Sequence, residues 1–152
     1  MIQYLNKLEE ERRLLLERTK DLAMDQYNII PAGFNNNIIW NMGHILVVSE
    51  SLLYQNSPYQ RPTHELMKPR FEKGSIPDGM VDEDDILLIR HSLQQTVQFY
   101  KMCTGMDRSG REIPLVSNSG LAIISNEHMQ FLLFHEDMHY RRIAKQLEIL
   151  RK

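Results

Sequence analysis

The pentapeptide His135-Glu136-Asp137-Met138-His139 combines residue types and a spacing that could do chemistry. An α-helix turns by about 100° per residue, so residues four apart lie on one face, one turn apart. His135 and His139 would therefore point the same way from a helix. Two neutral imidazoles arranged in this way are typical ligands of a borderline transition metal such as zinc or nickel.

Four interpretations fit this pentapeptide. It matches the H-E-x-x-H signature of zinc metalloproteases, in which Glu136 would be the general base. It also contains Glu136-x-x-His139, which is half of a di-iron carboxylate motif. Otherwise it is a pair of ligands that needs a third residue from another helix, or a pair of surface histidines on a polar helix face. The rest of the chain has to decide among them.

The protease interpretation lacks its third ligand. Position 142, where the extended protease motif has glycine, is Arg142, and position 145, where it has histidine, is Lys145. Glu148 follows in the same helix, about two and a half turns further on, and cannot close the site.

The di-iron interpretation lacks its second motif. A di-iron site would need a second Glu-x-x-His motif, and no glutamate stands three residues before His44, His91 or His128.

The third ligand is best supplied by His44. His44 shares the inner face of a predicted helix with Trp40 and Val48. A lone histidine on an apolar face is more often a hydrogen-bonded core residue. Three inward histidines are better explained by one metal ion, because buried imidazoles are costly to leave without partners.

Four long amphipathic patterns have to position these residues. They predict helices over residues 2–27, 36–55, 82–102 and 125–150, with Ser125 as the N-cap of the last. Residues 57–81 contain four prolines and predict a long crossover with a short helix near residues 63–67, and a second irregular stretch covers residues 104–124. The prediction is an all-α four-helix bundle in a single domain over residues 1–152.

The decapeptide Asn36-Asn37-Ile38-Ile39-Trp40-Asn41-Met42-Gly43-His44-Ile45, followed by His135-x-x-x-His139, resembles the DinB-like superfamily. Its members are small four-helix bundles with a three-histidine metal site, and they include bacillithiol transferases and mycothiol-dependent enzymes. The resemblance implies that His44, His135 and His139 are the metal ligands. Many members carry a Gly-Gln pair two residues after the last histidine, where this chain has Arg141 and Arg142.

Five other residues are candidates for the surroundings of the site. Glu136 is a weak catalytic candidate that could orient a ligand imidazole, although a solvent-facing position is favoured. His128 would line a cavity or, preferably, cap the start of the last helix. Trp40 would wall a pocket or belong to the core. Arg141 and Arg142 could pair with an acidic substrate group, but a solvated helix face is favoured.

The composition limits the class of protein. A net charge of −2 and a pI near 6.3 argue against a nucleic-acid-binding protein with a basic surface. No apolar run approaches the roughly 20 residues of a membrane span, and no signal peptide opens the chain. The single cysteine, Cys103, allows no internal disulfide, which favours a cytoplasmic protein. A small-molecule substrate and a homodimer are expected.

Three functions remain open. The resemblance favours a metal-dependent thiol transferase that acts on small electrophiles, with a low-molecular-weight thiol as co-substrate. A metal-dependent hydrolase of a small molecule would use the same ion to activate water. The third is a non-catalytic dimerising bundle with a structural or vestigial metal site. Structural zinc usually has four protein ligands, so a set of three favours an open site.

Overall fold

The fold is known from a computed structural model that describes residues 1–55, 62–104 and 124–152. Within these ranges all regular secondary structure is helical, which confirms the all-α prediction. The helices are α1 (Ile2–Thr19), α2 (Met24–Asn28), α3 (Ile38–Leu53), α4 (Pro62–Phe71), α5 (Glu83–Cys103) and α6 (Asn126–Leu150). No helix in the described part of the chain is long and apolar enough to cross a membrane.

The four long helices form the predicted bundle. Both α1 and α3 pack against α5 and α6, so α5 and α6 lie between them. The short helices α2 and α4 pack against α3. The helix carrying His44 therefore lies beside the helix carrying His135 and His139, and α4 also packs against it.

The first predicted helix, residues 2–27, is wrong as a continuous element. The helix α1 ends at Thr19, and α2 starts only at Met24, after Ala23 in an extended conformation. Tyr27 folds back so that its hydroxyl donates to the Thr19 carbonyl at 2.6 Å. Arg90 on α5 donates to the hydroxyls of both Thr19 and Tyr27 at 2.8 and 2.9 Å. These buried contacts stabilise the break, which the amphipathic pattern alone does not reveal.

The starts of α3, α5 and α6 are close to their predicted positions because each has a capping side chain. Asn37 accepts from the backbone N–H of Trp40 at 2.9 Å, and Ser125 accepts from that of His128 at 3.1 Å. Asp82 accepts from the backbone N–H of Asp85 at 2.9 Å. Of the predicted irregular stretch 104–124, residues 105–123 lie outside the described residues.

The crossover contains a longer helix than predicted, since α4 extends from Pro62 to Phe71 rather than over residues 63–67. The start of the crossover, residues 57–61, lies outside the described residues. Gly43 explains how closely α4 packs on α3: a Cβ at this position would lie 2.5 Å from the Phe71 ring. The glycine lets the end of α4 approach the turn of α3 that carries His44.

Candidate metal centre

Three histidines converge between α3 and α6. His44 comes from α3, and His135 and His139 come from consecutive turns of α6. One ring nitrogen from each lies within 4.8 Å of the others, and all three residues are buried. His44 Nε2 and His135 Nε2 are 3.2 Å apart. The residues that the sequence selected for one site are therefore neighbours in space.

The ring of His44 is held by a backbone carbonyl and by an indole. Its Nδ1 lies 2.6 Å from the carbonyl oxygen of Phe71, at the end of α4. Because a carbonyl only accepts, Nδ1 carries the hydrogen and Nε2 keeps a free lone pair. Trp40 stacks on the imidazole, with ring centroids 4.8 Å apart and planes 11° from parallel. Trp40 is buried, donates its indole N–H to Ser75 Oγ at 3.1 Å, and forms a wall of the cluster.

The ring of His139 is held by a chain of buried amides. Its Nδ1 lies 2.7 Å from Asn41 Oδ1. Asn41 donates its Nδ2 to the carbonyl of Asn37 at 2.9 Å and to Gln146 Oε1 at 3.3 Å, which fixes the orientation of the amide. His139 therefore donates from Nδ1, and its Nε2 is free to bind an ion.

The ring of His135 is held differently. Its Nδ1 is buried, and no hydrogen-bond partner reaches this atom in the described parts of the chain. Phe131, one turn earlier on α6, stacks on the ring with centroids 5.7 Å apart. Packing and the contacts of α6 with neighbouring helices therefore orient His135.

Burial keeps all three rings neutral at physiological pH. It lowers the pKa of His135 to about 4, with a smaller contribution from His44. Burial also lowers the pKa of His139 to about 3, followed by the effects of His135, His44 and Arg142. The pKa of His44 is lowered too, mainly by burial and against the effect of the Phe71 carbonyl. Neutral imidazoles are the form that binds metals.

Glu136 faces away from the histidines, and the prediction that it is exposed to solvent is wrong. It is fully buried and accepts two hydrogen bonds from Arg12 of α1, one at 3.1 Å from Nε and one at 2.5 Å from Nη2. Arg12 also donates to the Leu93 carbonyl of α5 at 2.7 Å, and the Tyr140 hydroxyl donates to Glu136. The ion pair joins α1, α5 and α6 and leaves no carboxylate of Glu136 for a protease-like role.

The charges of this buried pair support each other. Burial alone would lower the pKa of Arg12, but the adjacent Glu136 carboxylate outweighs it and raises the pKa. Burial, followed by the same carboxylate, raises the pKa of Tyr140 well above its usual range, so the hydroxyl remains a donor. Arg12 lies four residues after Leu8 and three before Leu15, so it falls on the buried stripe of α1, a register that could have indicated its burial.

His128 is not one of the clustered histidines. Its side chain is exposed, and its place in the lining of a cavity stays a prediction. Ser125 provides the cap, and His128 contributes only its backbone N–H. Arg141 is exposed and paired with Asp137 at 2.9 Å.

A comparison with known protein families matches residues 7–105 to the DinB superfamily. The match covers more than half of the chain and includes Trp40, Gly43 and His44. The chain belongs to the DinB superfamily. His135 and His139 lie beyond the matched residues, so their place in the cluster rests on the geometry described above. No curated protein matches the chain.

The donor set of this DinB superfamily protein fits a divalent metal ion. Two rings have their Nδ1 hydrogens bound by oxygen atoms, an arrangement that fixes the tautomer of metal-binding histidines. The cluster contains three potential ligands among the described residues, so such an ion would keep open coordination positions. Imidazole ligands suit several divalent transition metals.

In this DinB superfamily protein, Asn41→Ala is expected to lower zinc affinity by about 10- to 100-fold, because the tautomer and orientation of His139 are no longer fixed. Calorimetric titration of the metal-free variant with zinc measures this loss. Asn126→Ala removes an exposed asparagine from the first turn of α6 and serves as the control. Unchanged affinity in Asn41→Ala would show that His139 does not depend on the amide.

Proposed function

We propose that His44, His135 and His139 hold a divalent zinc or nickel ion, and that the protein is a metal-dependent thiol S-transferase. It would transfer a low-molecular-weight thiol to small electrophiles. The observation that carries the proposal is the fixed orientation of two imidazoles, with their free Nε2 atoms available beside the third ring. Membership in the DinB superfamily supports it, because that superfamily includes bacillithiol transferases and mycothiol-dependent enzymes.

The bound ion would supply positive charge and open coordination positions, which favour the thiolate form of a thiol at neutral pH. In the transfer, sulfur forms a bond to the electrophilic carbon. The leaving group departs with the bonding electron pair, and the thiol proton passes to solvent.

The chain itself contributes positioning and shape. Phe71 and Asn41 hold His44 and His139 in one orientation, so the ligand set is organised before an ion or substrate arrives. Trp40 covers one face of His44 and keeps water from that side of the cluster. Because all three ligands are neutral, the positive charge of the ion would remain available to stabilise an incoming anion.

The test is the metal content of protein purified without an affinity tag of histidines. We expect about one zinc or nickel ion per chain in the wild type, because three neutral imidazoles form the site. His44→Ala should lose the ion, since two ligands from one helix bind it weakly. His91→Ala, which removes an exposed histidine of α5, should retain it. Elemental analysis measures all three proteins.

Two outcomes would contradict the proposal. A wild-type protein that takes up no metal after incubation with zinc and with nickel has no functional site at the three histidines. The metal-loaded protein would be a hydrolase instead if it hydrolyses an ester but does not accelerate the conjugation of a small thiol to an alkyl halide or an epoxide.

A further inference from the structure

Arg142 lies beside the candidate metal centre on the surface of α6. It follows His139 by three residues and His135 by seven, so it projects from nearly the same side of the helix. At about 100° per residue, Phe131, Met138 and Arg142 fall within about 40° of one another. All three side chains are exposed. They form a strip of two apolar groups and one cation along the solvent side of the two histidines.

The guanidinium of Arg142 has no salt bridge or hydrogen bond within the described residues, whereas the adjacent Arg141 is paired with Asp137. Its charge still acts on the cluster, where it lowers the pKa of both His44 and His139. No carboxylate of the described residues contributes to the pKa shift of any of the three rings. With an ion bound, this corner of the bundle would hold several positive charges and, among the described residues, no carboxylate that acts on the three rings.

We propose that the molecule bound at this site is a small organic anion whose carboxylate pairs with Arg142 while its apolar part lies on Met138 and Phe131. This inference rests on the proposed metal site and names the substrate class. Met138 and Arg142 are separated by about 6 Å along the helix axis, a distance that a ligand of a few carbon atoms spans. A guanidinium binds a carboxylate through two parallel hydrogen bonds, which gives direction as well as attraction.

The test uses cobalt(II)-loaded protein and two thiols of the same shape, 3-mercaptopropionate and its neutral amide. Cobalt absorption reports binding of each thiol. The wild type should bind 3-mercaptopropionate about tenfold more tightly than the amide, as expected for a charge pair close to a binding site. Arg142→Gln should abolish this preference, because it weakens the binding of 3-mercaptopropionate and leaves the binding of the amide unchanged. Arg141→Gln, which removes the neighbouring and already paired arginine, should preserve it.

A second readout separates recognition of an anion from a structural role. Arg142→Gln should bind cobalt at least as tightly as the wild type, because a positive charge near the cation has been removed. A structural role for Arg142 would instead weaken the binding of cobalt and of both thiols together.

The outcomes distinguish this inference from the proposed function. Equal affinity of the wild type for both thiols, or a preference that survives in Arg142→Gln, overturns the role of Arg142. If cobalt binds and neither thiol changes its absorption spectrum, thiol transfer is overturned. The preference for an anion is then tested alone, by comparing the binding of phenylacetate with that of phenylacetamide. A protein that binds no cobalt overturns both.

Discussion

Arg12→Met should lower the free energy of unfolding by about 3–5 kcal/mol, because it leaves the Glu136 carboxylate buried without its partner. Both side chains of the pair are almost completely inaccessible to solvent, at 1% and 0% exposure. The loss should be visible in urea unfolding followed by circular dichroism. Since the pair joins α1 to α6, the same substitution should weaken metal binding at His135, the residue that precedes Glu136.

Two variants test the cause of this loss. Arg13→Met removes the neighbouring exposed arginine, which pairs with Glu10 on the surface of α1, and should change stability by less than about 1 kcal/mol. The double variant Arg12→Met/Glu136→Met replaces both charges by apolar groups and should recover most of the stability. A similar loss in Arg13→Met, or no recovery in the double variant, would contradict an unpaired buried charge as the cause.

The metal-free protein should lose about 3 kcal/mol of stability between pH 6.5 and pH 5 through His135 and His139. Burial lowers the pKa of these rings to about 4 and about 3, whereas in the unfolded chain they titrate near 6.5. Throughout this interval the unfolded state binds more protons than the native state, so stability falls as pH falls. Each ring contributes about 0.7 kcal/mol per pH unit at pH 6.5, rising towards about 1.4 kcal/mol per pH unit near pH 5. Urea unfolding in the presence of a chelator measures the slope.

The pH dependence of the unfolding free energy should come from the buried histidines of the cluster and not from exposed histidines. His135→Gln/His139→Gln should flatten the pH dependence in this interval. His128→Gln removes an exposed imidazole and should leave it as in the wild type. A wild-type unfolding free energy that stays constant from pH 7 to pH 5 would mean that the rings accept protons in the folded state.

Much of the fold could be predicted because its causes are local. The caps Asn37, Asp82 and Ser125 stand at the starts of amphipathic segments, and α3, α5 and α6 each begin at the residue that follows the cap. The convergence of His135 and His139 follows from helical geometry alone. That His44 faces them depends on the packing of α3 against α6, and the apolar face that His44 shares with Trp40 indicated this packing in advance.

The missed features depend on contacts between distant residues. Arg12 and Glu136 are 124 positions apart, and although each falls on the buried stripe of its own helix, neither local pattern identifies the other as its partner. The partner of His44 is a backbone carbonyl, that of Phe71, which leaves no signal in residue types. Asn41 fitted the inner face of its helix, but its role requires knowing where His139 lies. The break after Thr19 likewise depends on Arg90, from another helix.

The histidines and Glu136 project from different sides of α6, and this limits the use of short sequence motifs to assign enzymes. Searches for zinc proteases accept the string H-E-x-x-H wherever it occurs, although the chemistry requires its glutamate to lie near the ion. In this bundle the residues of the motif face two different helices. The histidines lie against α3, whereas Glu136 forms an ion pair with an arginine of α1. An arginine on the opposing helix is therefore a useful negative criterion, because it occupies the carboxylate that a peptidase would need.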